Sequence, residues 1–187
     1  MFRTGQLLRR LKSLRAKRLL AFGRDDRGVT AIEFALLAVP FFALVGAILE
    51  TALVFLASQI LDAAVGDSSR LIRTGQAQNA NYTAANFNNA ICSSLYGLFD
   101  CTKLQVKVSI INGFASATVT SPLNPLDPTQ WTLVPAYNPG VGSQVIMVQV
   151  YYKWHTLLNF GGFNLSTSSD GTRLMGSVRV FQNEPFS

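Results

Sequence analysis

An α+β fold carried on a membrane anchor is the architecture this sequence predicts, and three features predict it. A basic segment precedes a long apolar run, apolar residues then continue at helical spacing, and from Leu104 the period shortens from 3.6 residues to 2. The expected order is a long N-terminal transmembrane helix continuing into a juxtamembrane helix, a second short helix, and a small antiparallel sheet of three or four strands.

Charge supports the anchor. Only 14% of the 187 residues are charged and 49% are hydrophobic, whereas about a quarter of an ordinary soluble domain is charged. The net charge of +6 is unevenly placed, because residues 1–28 hold nine of the 16 Lys and Arg and only two acids. The remainder is nearly neutral at −1, so the chain lacks the basic, aromatic-interleaved face that nucleic-acid binding needs. Residues 2–22 read either as a basic amphipathic helix on an anionic membrane face or as a solvated tail. Both place the N-terminus on the cytoplasmic side, since Lys and Arg beside a span fix its orientation.

From Phe34 to Gln59 the one charged residue is Glu50. As a helix, residues 35–56 cover roughly 33 Å, enough for a hydrocarbon core of about 30 Å. The run is too long for the apolar part of a secretory signal. Pro40 and Gly46 interrupt it, and a kink is expected near Pro40. Ile60, Leu61, Ala64, Val65, Leu71 and Ile72 then keep helical spacing until Thr74-Gly75, with Gly75 as a left-handed cap. A helix over residues 30–74 would be about 68 Å long, so its second half must leave the membrane. The expected division is a cytoplasmic leader over 1–28, a transmembrane helix over 29–57, and an extracytoplasmic α+β domain over 58–187.

Residues 75–82 read as a connection. Thr83 is the expected N-cap of a second helix with Phe87, Ala90, Ile91, Leu95 and Leu98 on one stripe. Leu104, Val106, Val108 and Ile110 alternate as a strand, Asn112-Gly113 signals a turn, and a further strand is expected over 115–120. Residues 121–143 hold five prolines and read as a long loop. Strands are expected again at 144–154 and 173–182.

Enzymatic constellations are nearly absent, and the chain does not read as an enzyme. His155 is the single histidine, no glycine-rich loop leads a strand into a helix, and neither a metal site nor a cofactor is expected. Cys92 and Cys101 read as a short-loop disulfide if the domain lies outside the cytoplasm, or as two unpaired thiols.

The feature without an ordinary explanation is Glu33, which enters the apolar run one helical turn after Val29. A free carboxylate at depth costs about 2.5 to 3.5 kcal/mol. One reading is an acid at the helix start, favoured by the dipole and snorkelling to the interface. The other is a partner cation, and a cut between Gly28 and Val29 would create one in the new α-amino group. Glu50 reads as snorkelling or as meeting a polar group on a partner.

A basic leader ending in glycine, with glutamate as the fifth residue beyond it in an apolar helix, resembles a type IV prepilin processing site. The longer pattern RGVTAIEFALLAVPFF with ILE resembles the TadE-like family, pseudopilins of tight-adherence (Tad, or Flp) pilus systems. Pro40, Glu50, the segment AAVGDSSRLIRTGQ and the ending VFQNEPF are similar to that family's pattern. The resemblance implies a pilin-like fold and a single-pass inner-membrane protein with a periplasmic C-terminal domain, acting in pilus assembly without catalysis. It implies cleavage between Gly28 and Val29 by a membrane-embedded prepilin peptidase, and pairing of Glu33 with the amine of Val29. Implied partners are that peptidase, other pilins and pseudopilins, inner-membrane Tad assembly proteins and membrane lipid. Set against this are an unprocessed, single-span anchored binding domain and a membrane-anchored enzyme.

Overall fold

The computed structural model describes residues 28–160 and 163–186. The basic segment, with its expected amphipathic helix, lies outside the described residues. Helix α1 runs from Val29–Arg73 without a break at Pro40, and Arg70 and Arg73 occupy its last turn, where basic charge complements the helix dipole. Gly75 follows at φ 77°, the expected left-handed stop. The connection beyond it is not wholly irregular, since a single-turn helix α2 forms over Gln76–Asn79.

Helix α3 spans Ala84–Ser93. Its start is set by a reciprocal cap in which the Thr83 hydroxyl accepts from the Asn86 N–H while the Asn86 carboxamide accepts from the Thr83 N–H. Four strands make the main sheet: β1 (Gln105–Ile111), β2 (Ala136–Tyr137), β3 (Val145–His155) and, after a small antiparallel pair β4 (Asn159–Phe160) and β5 (Phe163–Asn164), the last strand β6 (Thr172–Gln182). The order is β2-β1-β3-β6. Strand β3 is central and antiparallel to both long neighbours, with Val108 opposite Val148 and Val150 opposite Ser177.

Two expectations need correction. The sheet is mixed, because β2 runs parallel to β1, Lys107 standing opposite Ala136. Residues 115–120 form no strand; a 3-10 turn at Phe114–Ser116 takes the chain away from the sheet. The two departures have one cause. A parallel neighbour requires a crossover connection rather than a tight turn, and residues 112–135 make that crossing before the chain returns along the open side of β1. On the way, the loop covers the sheet's second face near Lys153. The Lys153 ammonium donates to the carbonyls of Pro128 and Thr129 and lies 5.2 Å from the centre of the Trp131 ring. Met147, Gln149 and Tyr151, which share that face by alternation, are buried.

The main core lies on the other face, within the unit formed by residues 46–187. Val54, Ala57, Leu61, Ala64, Val65 and Ile72 make the buried stripe of α1, and Ile146, Val148, Val150 and Tyr152 are the facing positions of β3. Phe87 and Ile91 close the core from α3, and Leu95 does so from the turn just after it. Phe99 stacks edge-on against Tyr152 and Trp154, with ring centres 4.9 and 5.4 Å away. Alanines in the α1 stripe let the helix approach the sheet closely.

Three Asp-x-Thr turns, at Asp100, Asp127 and Asp170, repeat one local device in which the carboxylate accepts from the threonine hydroxyl and N–H two residues on. In each case the threonine hydroxyl is the main reason the carboxyl is held below its usual range. At Asp170 the Lys153 ammonium, 3.6 Å away, adds to it.

Two outcomes follow from this packing. Ala64→Leu should overfill the helix-sheet seam and destabilise the domain by about 2 kcal/mol, whereas Ala63→Leu, on an exposed position, should leave thermal unfolding in detergent unchanged. A carboxyl with a depressed folded pKa contributes stability that is complete above its ordinary value and lost as pH falls through the lower one. Protection of the Thr172 amide from hydrogen exchange should therefore fall as pH drops below the ordinary Asp range, and Thr172→Val should flatten that dependence.

Candidate functional site

The site residues singled out by the sequence occupy several places along the chain. Gly28 and Val29 stand at the start of α1, both exposed, and among the described residues a side chain at Gly28 would meet no atom within 4 Å. Glu33 is also exposed, and none of the ion pairs among the described residues includes it. Val29 and Glu33 are four positions apart in one helix, so they lie on the same side, one turn apart.

Glu50 has a different setting. It is 5% exposed, although large apolar side chains around it on the helix (Ile48, Leu49 and Leu53) are open. Its carboxylate accepts from the backbone N–H of Leu157, and from that of Leu158 at 3.2 Å to Oε1 and 3.1 Å to Oε2. The partner is thus within the chain, in the connection between β3 and β4. Neither snorkelling nor a group on another protein is required to explain this carboxylate.

Further along α1, Asp62 reaches β6. Its carboxylate accepts from the Ser177 hydroxyl at 2.7 Å and from the Arg179 guanidinium, which also donates to the Asp62 carbonyl at 3.3 Å. Both charged side chains are nearly half exposed, so the pair contributes at most about 1 kcal/mol and acts mainly to fix register. Sequence reasoning missed it. The available signal was Arg179 itself, on the same strand face as buried Met175 and Ser177.

The ending Asn183-Glu184-Pro185-Phe186 closes the far end of the helix. Glu184 N–H donates to the Arg73 carbonyl at 2.8 Å, and its carboxylate lies 3.5 Å from the Arg73 guanidinium. The Asn183 amide donates to the carbonyls of Pro139 and Val141, both at 3.0 Å. The Phe186 ring rests on Gly75, where an added Cβ would come within 2.6 Å of it. Glycine is therefore needed at this position twice, for its positive φ and for the ring above it. These contacts give a physical reason for the ending to accompany a helix that stops in Thr-Gly.

Cys92 and Cys101 are joined in a disulfide, their Cα atoms 6.0 Å apart. It ties the last turn of α3 to the 3-10 turn Cys101–Lys103 ahead of β1. Closing a loop this short contributes about 3 kcal/mol in the chain-entropy account. No group of His, Cys, Asp and Glu suited to holding a metal ion occurs among the described residues.

Gly75→Ala should cost about 2 kcal/mol, from a left-handed alanine and a displaced ring. In Gly75→Ala with Phe186→Leu the ring clash is relieved, so the two changes should be less than additive in detergent unfolding. Strict additivity would show that the ring and the glycine are independent.

No curated protein and no solved structure matches the chain. A match to a family does exist, and it covers Gly28, the apolar helix and most of its continuation beside the sheet. Residues 28–70 match the family model described as TadE-like protein.

Proposed function

We propose that this protein is a TadE-like pseudopilin, or minor pilin, that supports assembly of a tight-adherence pilus. The matched segment and, among the described residues, one helix apolar enough to cross a membrane fit a Tad pilus-associated minor pilin. In this reading residues 1–28 are a cytoplasmic leader, 29–57 cross the inner membrane, and 58–187 form the periplasmic domain. A prepilin peptidase cuts between Gly28 and Val29. The chain itself performs no catalysis; it acts by laying its helix beside those of other pilins, under the control of the Tad assembly proteins of the membrane.

The observation that carries the reading is the exposed carboxylate of Glu33 one turn from Val29, the residue that follows Gly28. Cleavage turns the Val29 nitrogen from an amide into a cation. The amine and the carboxylate can then pair within one chain or between neighbours. Inside a bilayer such a pair specifies register even where its net contribution to stability is small, because separating the two leaves a buried charge uncompensated. Glycine before the cut lets extended backbone enter a protease cleft.

Intact mass of the protein from cells with and without the peptidase tests the first step: the mature chain should begin at Val29 when the enzyme is present. Glu33→Ala should abolish pilus assembly while membrane insertion persists. A chain that keeps its leader in piliated cells, or an assembling Glu33→Ala variant, would instead indicate an unprocessed, anchored domain.

A further inference from the structure

The carboxylate of Glu50 marks where a second part of the protein meets the apolar stretch of helix α1. Large apolar side chains stay open to the surroundings on α1 as far as Leu56, including Ile48, Leu53 and Phe55, and among the described residues no other large apolar side chain is exposed until Tyr96. The outer border of the apolar belt therefore lies near Leu56. Glu50 is six positions before it, about 9 Å inside by helical rise. At that level its carboxylate accepts from the N–H groups of Leu157 and Leu158. Contact on the helix side is close as well, since a Cβ at Gly46 would stand 3.2 Å from Leu158 Cδ1.

We infer that the loop at residues 156–158 enters the outer leaflet beside the transmembrane helix, with the Leu157 side chain in the acyl region of the lipid. The inference rests on α1 being a membrane span. Residues 157–165 carry no charged side chain, and Leu157 is 81% exposed. An exposed leucine at the height of Ile48 and Leu49 continues the lipid-facing surface of the helix. Irregular backbone at that depth is tolerated only where its N–H groups are satisfied by protein, and Glu50 satisfies both. The carboxylate and the loop thus account for each other. Two amide dipoles answer the charge, and the charge in turn occupies two donors that lipid cannot serve. The consequence is a second point of membrane contact, which restrains rotation of the periplasmic domain about its anchor.

Depth measurement on the full-length chain tests this. Single cysteines introduced as Leu157→Cys, Ile48→Cys and Leu126→Cys, with the native disulfide intact, are labelled with an environment-sensitive fluorophore. The chain is then reconstituted at about one per vesicle in phosphatidylethanolamine and phosphatidylglycerol carrying brominated acyl chains. All three positions are exposed, so folding should survive the changes. The label at 157 should lose fluorescence to the same extent as that at 48, while the label at 126 should lose none. Quenching at 48 without quenching at 157 overturns the inference and leaves the span in place. Absence of quenching at both removes the span itself and the inference with it. Shielding at 157 that appears only when many chains share a vesicle assigns the loop to a second copy and also overturns it.

Discussion

A carboxylate carried into an apolar environment has to be met by positive potential, and helix α1 carries two of them. Much of this molecule follows from how each is met. Glu50 is answered within the chain by two backbone amides, which draws the connection after β3 down against the helix. Glu33 stands open among the described residues. The same helix therefore holds one carboxylate whose requirement is already met and another that is available to a group outside the folded domain.

The helix can hold both because it changes role along its length. Where apolar side chains are exposed it suits lipid; from Val54 to Ile72 an apolar stripe with alanines turns inward and becomes one wall of the domain core. Polar contacts at three successive levels fix how that wall meets the rest: Glu50 with the 157–158 amides, Asp62 with Ser177 and Arg179, and Arg73 with Glu184. The last is completed by Phe186 on Gly75. No single surface pair here is energetically large. Their collective effect is to set the register of a helix on a sheet, where a purely apolar seam would allow sliding.

Local signals made most of the elements legible in the sequence. Thr83 and Gly75 mark helix ends through backbone requirements that any context would respect, and both appear where expected. The alternation around Val108 and Val148 gave the long strands to within a residue or so. The sheet's mixed character was not legible, because Asn112-Gly113 looks like a hairpin turn locally, while the path actually taken is accompanied by contacts distant in sequence, such as Lys153 donating to the 128 and 129 carbonyls. The same holds for the candidate site. Gly28, Val29 and Glu33 could be singled out because spacing is visible in the sequence itself. The partner of Glu50 could not, since Leu157 and Leu158 contribute backbone N–H groups that leave no trace in residue identity, and they lie more than a hundred positions away. Arg179 was readable in principle as a charge on an inward strand face, but only once that face was known.

The central claim is that the two carboxylates have different partners, one of which exists only after cleavage. Solid-state NMR of the mature chain in bilayers measures this through dipolar coupling between labelled carboxyl carbons and nitrogens. The account predicts coupling of Glu33 to the Val29 amine, together with coupling of Glu50 to the amides of Leu157 and Leu158. A Glu33 carboxyl with no coupling to any Val29 amine, in a sample where the Glu50 couplings are present, would contradict it.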